Sequence, residues 1–139
     1  MAAAADLIPY AQLEVAGDET FERDLRGMFR REPDTCWFRP IGISPAALHH
    51  AAVRPEAYLF DDGGAEHFRE AIRMRDAYRA GCHLPPVIVY QPEPSCGRAD
   101  PEVLDGYHRL SAAVAAGLTT VDALLLVGSD GVPLHPVTG

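Results

Sequence analysis

Apolar positions along the 139-residue chain mark out a series of short elements rather than one long period. Residues 7–15 (LIPYAQLEV) read as a short extended segment. Asp18 then offers an N-cap, with Glu19 and Glu22 in the first turn. Phe21, Leu25, Met28 and Phe29 recur at i, i+4, i+7 and i+8, the stripe of an amphipathic helix, with Arg30 and Arg31 at its end and Pro33 as its stop. Residues 33–43 carry Trp37, Phe38 and Pro40 without a period and read as irregular. Ser44-Pro45 opens a short helix through about Val53, stopped before Pro55. The triplet Tyr58-Leu59-Phe60 runs into the turn Asp61-Asp62-Gly63-Gly64.

A longer helix is expected over 65–80. Phe68, Ala71, Ile72 and Tyr78 lie on one broad face, and Gly81 sits just past its end. Val87-Ile88-Val89-Tyr90 reads as a buried strand entered through Pro85-Pro86. Residues 91–101 form a proline-rich loop and Glu102-Val103-Leu104 a very short strand. Asp105-Gly106 is a turn. A helix follows over 108–116, closed by Gly117, and a last strand over 120–127. The expected architecture is a single α/β domain over 1–127, a small mixed sheet with flanking helices, best supported over 64–127. Residues 128–139 are expected to be a loose tail.

Composition narrows the function classes. Hydrophobic residues make up 47% and charged residues 23%, ordinary values for a globular chain. No apolar run is long enough to span a bilayer, and the N-terminus lacks the basic flank of a secretory signal, so a cytoplasmic location is expected. The net charge of −8 argues against DNA binding by bulk electrostatics. All twelve basic residues are arginine. With no lysine there is no P-loop and no Schiff base, and phosphate recognition falls to arginine forks, backbone N–H groups or a metal. Cys36, Cys82 and Cys96 are an odd number with no metal-ligand spacing, so reduced thiols are expected.

The turn at 105–111 carries the candidate chemistry. A glycine there lets backbone approach a ligand, and the helix that follows presents free N–H groups and a positive dipole end. Gly106, Tyr107, His108, Arg109 and Ser111 make a small anion cradle suited to nucleotide phosphates. Asp105 beside it could hold magnesium or orient a hydroxyl. The plainer alternative is a turn, a cap and two surface cations at an unfavourable helix end.

Residues 85–89 (PPVIV), 103–113 (VLDGYHRLSAA) and 117–123 (GLTTVDA) together resemble the ParB/sulfiredoxin superfamily, whose pattern is an apolar strand, a "DG-x-HR-x-x-A-A" turn into a helix, and "G-x-x-x-V-x-A" before a strand. The resemblance covers 64–127 and leaves 16–63 unmatched. It implies that superfamily's fold and a nucleotide site. Sulfiredoxins carry a reactive cysteine where this chain has Tyr107, which argues against sulfinic acid repair. The chromosome-partitioning branch binds CTP and adds a DNA-binding region for which this chain has no room. The branch closest in form contains kinases of free amino acids, whose catalytic glutamate lies nearer the N-terminus. Glu14, Glu19 and Glu22 are candidates for it. The leading expectation is a nucleotide-dependent phosphotransferase or hydrolase acting on a small molecule, using ATP or ADP (CTP is admitted) with Mg2+. Asp105 and His108 would be catalytic, and Asp105 also a metal ligand. The alternatives are a non-catalytic nucleotide-binding regulatory module and, less favoured, a nuclease or DNA-associated protein. A homo-oligomer stays open and no membrane partner is expected.

Other constellations have plainer readings. Asp61-Asp62 with Glu66 and His67 could sit at a site mouth but reads first as a solvated turn and helix start. His49-His50 are adjacent and would not face one another on a helix. Cys82-His83 is a single pair, and Trp37-Phe38 reads as a core plug before a stacking platform.

Overall fold

The leucine-rich strand near the end of the sequence lies at the centre of the sheet in the computed structural model, which describes residues 6–48, 54–60, 62–93 and 100–137. In chain order the elements are β1 (Ile8–Pro9), α1 (Glu19–Met28), β2 (Trp37–Ile43), α2 (Gly64–Arg79), β3 (Val87–Tyr90), β4 (Glu102–Asp105), α3 (Tyr107–Ala116) and β5 (Val121–Val127). The sheet order is β1-β2-β5-β3-β4. β5 runs parallel to β3 and antiparallel to β2, while β4 is antiparallel to β3. The chain is therefore a small α/β domain with a five-stranded mixed sheet.

Alternation along the strands sorts side chains to two faces. Ile88 and Tyr90 of β3 join Leu124 and Leu126 of β5 in one cluster, closed by Phe21, Leu25 and Phe29 of α1 and by Phe38. Val87 and Val89 join Val121 and Ala123 in the other, closed by Leu110 and Ala113 of α3. Leu25 and Phe38 are fully buried; each such side chain stabilises the fold by about 2 kcal/mol relative to an exposed one. Helix α2 packs chiefly on α3 and on the 3-10 turn Pro55–Phe60.

The structure corrects several expectations. Residues 33–43 are not irregular: after a 3-10 turn at Pro33–Thr35, β2 pairs with β5 along its whole length. Pro40 is compatible with this because β1 pairs with only Trp37 and Phe38, which leaves the rest of β2 at a sheet edge. The segment 7–15 contributes only two strand residues before a 3-10 turn at Tyr10–Gln12. Helix α1 ends before Pro33 because Arg30 takes a left-handed conformation (φ 53°) and lets the N–H of Arg31 reach the carbonyl of Leu25 at 3.3 Å. The helix opened by Ser44-Pro45 is a 3-10 turn ending at Ala47, with Leu48 extended; residues 49–53 lie outside the described residues. The tail is not loose over 128–137. Arg39 donates to the Gly131 carbonyl, the Val137 N–H bonds the Met28 carbonyl at 2.7 Å, and Leu134 packs on the first cluster.

Candidate functional site

The site is built where β4 hands over to α3. Gly106 links them with φ 102°, a conformation side-chain-bearing residues rarely adopt. A Cβ on Gly106 would lie 3.0 Å from Nη2 and 3.2 Å from Nε of Arg109, and 3.3 Å from the Val87 Cα. Gly106 has no side chain with which to cap the helix, no capping side chain is seen among the described residues, and the first internal bond runs from the Leu110 N–H to the Gly106 carbonyl at 2.9 Å. The N–H groups of His108 and Arg109 thus have no acceptor within the helix. Arg109 folds back over the glycine and donates through Nη2 to Oδ2 of Asp105 at 3.2 Å. Its Nε is buried with no acceptor among the described residues. Met74, Asp105, Gly106, Tyr107, His108 and Arg109 line a cleft of about 330 Å³.

Burial pushes the Asp105 carboxyl above the ordinary carboxylate value. The Arg109 guanidinium pulls the other way, and the charges of Asp18 and Glu14 add to the upward push. Glu14 therefore lies within electrostatic reach of the site. The other two candidates for a catalytic glutamate are engaged or remote. Glu22 accepts from the Tyr10 hydroxyl at 2.7 Å and lies 3.7 Å from Arg26, while Glu19 lines a separate depression on α1.

His108 has a partner that no local pattern announces. Its Nε2 lies 2.8 Å from Nδ1 of His67, in the first turns of α2. The Tyr58 ring covers His108 at a centroid distance of 4.9 Å and an angle of 14°. Glycine is required here too: a Cβ on Gly64 would stand 1.7 Å from the Tyr58 carbonyl oxygen, so only glycine lets α2 begin against that turn. Burial and the neighbouring His67 push the His108 imidazole below its ordinary value of 6.5, against an opposing pull from Glu70. His108 is thus a neutral imidazole at neutral pH, and Arg109 is the cation of the pair.

The remaining expected residues are placed unequally. Tyr107 is half-exposed, its hydroxyl donating to the Val103 carbonyl at 2.9 Å, and burial pushes its phenol up. Ser111 is 2% exposed and does not line the cleft; its Oγ has no partner among the described residues. Of the second polar group, His67 reaches the site while itself exposed, Glu66 and Asp62 are likewise exposed, and Asp61 lies outside the described residues. His49, His50 and Cys96 also lie outside them. Phe38 is core, as expected of a plug, and Trp37 is half-buried on β2. Cys36 is buried, which pushes its thiol up. Cys82 and His83 line a different cleft of about 200 Å³.

Among the described residues no three His, Cys, Asp or Glu side chains gather as a metal cage requires, and no helix is long and apolar enough to cross a membrane. No family model, no curated protein and no solved structure matches the chain.

Proposed function

We propose that the cleft at the start of α3 binds the phosphates of a nucleotide, and that the chain is a nucleotide-dependent phosphotransferase or hydrolase of ParB/sulfiredoxin type acting on a small molecule. One observation carries this reading: the half-satisfied Arg109 guanidinium folded over Gly106, at a helix N-terminus that no side chain among the described residues caps. Free N–H groups and an arginine fork are what a terminal phosphate needs in a chain without lysine. Asp105 holds Arg109 in place at rest. It is also the carboxylate that would hold magnesium, which commonly takes only one or two carboxylates beside phosphate and water oxygens; the ion would neutralise phosphate charge. His108, neutral and at the cleft wall, is the group suited to accept a proton from an attacking hydroxyl or water. The absence of lysine favours one second reading, a module that binds nucleotide without turnover.

A thermal-shift panel of ATP, ADP, AMP, CTP and GTP, each with and without magnesium, tests this. A nucleotide at 100 times its Kd stabilises the fold by about 2.7 kcal/mol. At least one nucleotide should raise Tm, and Arg109→Ala should abolish that rise. No shift at millimolar concentration, or a shift indifferent to Arg109→Ala, would reject the site. Turnover measured on the nucleotide that shifts Tm separates enzyme from module.

A further inference from the structure

We infer that His67 is a positioning residue, which fixes His108 in a single tautomer and presents it to the cleft as a proton acceptor. The contact between His67 Nδ1 and His108 Nε2 at 2.8 Å must contain one proton: two bare nitrogens would repel, and two protonated ones would clash. The more stable neutral form of an imidazole side chain carries its proton on Nε2. If both rings keep that form, His108 donates from Nε2 to the lone pair of His67 Nδ1, and His67 keeps its own Nε2–H. Nδ1 of His108 is then left with a free lone pair. When it takes a proton from an acceptor hydroxyl or water, the new imidazolium still donates from Nε2 to His67. His67 therefore does for His108 what a carboxylate does for other catalytic histidines, without contributing a negative charge.

Packing keeps the geometry from drifting. The Tyr58 ring lies against His108 and also 5.7 Å from His67, and Gly64 clamps the start of α2 to the Tyr58 carbonyl. Burial is the largest influence on His108, and with His67 and Arg109 it outweighs Glu70 of α2 and Asp105, which favour the cation. The imidazole is thereby pushed below its ordinary value, the direction that suits a proton acceptor.

The inference rests on the phosphate-site reading only for its catalytic consequence, so it is tested in two ways. The first is nitrogen NMR of histidine-labelled full chain without nucleotide, for wild type, His67→Phe and His67→Asn. Phe keeps a ring beside Tyr58 but removes the acceptor, whereas the Asn amide oxygen can accept where Nδ1 did. Wild-type His108 should carry its proton on Nε2 alone. His67→Phe should mix its tautomers, and His67→Asn should restore the single one. A mixed tautomer in wild type, or one unchanged by His67→Phe, overturns the inference. The second is turnover with the nucleotide chosen by thermal shift: His67→Phe should lower kcat about tenfold or more with little change in KM, and His67→Asn should recover most of it. Equal loss in both variants overturns the positioning role. Failure of the phosphate-site reading registers separately, as a wild-type chain whose Tm no nucleotide moves.

Discussion

Helices α1 and α3 are both ten residues long, but their N-termini are finished in opposite ways. At α1, the Asp18 carboxylate accepts from the Phe21 N–H at 3.0 Å, and Glu19 and Glu22 add negative charge to the first turn. The positive end of that helix is satisfied by its own sequence. At α3 no capping side chain is seen among the described residues, the first turn holds no acid, and the Arg109 cation folds over the opening. Stability alone would favour the first arrangement at both ends. The contrast sets the α3 end apart as the one that forgoes this stabilisation, which is where the proposed phosphate site lies.

The largest expected effect comes from filling the open end. Gly106→Ala places a Cβ against Arg109 and Val87 in a backbone region that alanine disfavours. It should cost about 1–2 kcal/mol of stability and abolish the nucleotide-induced Tm rise. A variant that keeps the rise would mean the ligand does not use this end of the helix. Next comes Asp18→Ala, which opens the closed end. Loss of the cap should cost about 1 kcal/mol and lower Tm by a few degrees, while the nucleotide-induced rise persists. If opening α1 weakens nucleotide binding as much as filling α3 does, the two ends are not functionally distinct.

The smallest effect is a pH dependence. In the folded chain the Asp105 carboxyl is raised above its ordinary value of 3.8, so between 3.8 and the raised value the folded state holds a proton that the unfolded state has released. Stability contributed by this group is therefore present at the acid side of that window and lost as pH rises through it. Asp105→Asn should remove this decline and leave stability at neutral pH no lower than in wild type. Unfolding midpoints of both proteins from pH 3 to 7 would measure it. A variant clearly less stable at pH 7 would mean that the ion pair with Arg109 outweighs the burial of the carboxyl.

The sequence made one half of the molecule far more readable than the other. From Gly64 to Val127 the elements carry local signals: a glycine at each helix end, a β-branched strand, and an Asp-Gly turn whose Arg109 lies one helical turn from Asp105. The strand β2 carried none. Pro40 and Gly42 break its alternation, and its partner β5 lies some eighty residues away, so only the assembled sheet defines it. The order of the tail is hidden for a related reason, since it rests on tail backbone groups, the Val137 N–H bonded to the Met28 carbonyl and the Gly131 carbonyl accepting from the Arg39 side chain, which leave no pattern in the sequence of the tail. At the site, Asp105, Gly106, Tyr107, His108 and Arg109 are contiguous and were legible. His67 stood out only as one member of a polar group that could sit at a site mouth; its link to His108 left no mark, because it spans 41 residues and depends on how α2 docks on α3. Ser111 followed the motif but turned inward.

The central position of β5 has a consequence for how the chain is born. A ribosome delivers β2 and β3 before residues 121–127, yet each pairs along its inner side only with that later strand. Without β5 the strands divide into two pairs, β1-β2 and β3-β4, that share no ladder, and neither apolar cluster is complete. Closure of the sheet must therefore wait for residues 121–127, and until then the earlier strands are open to premature association.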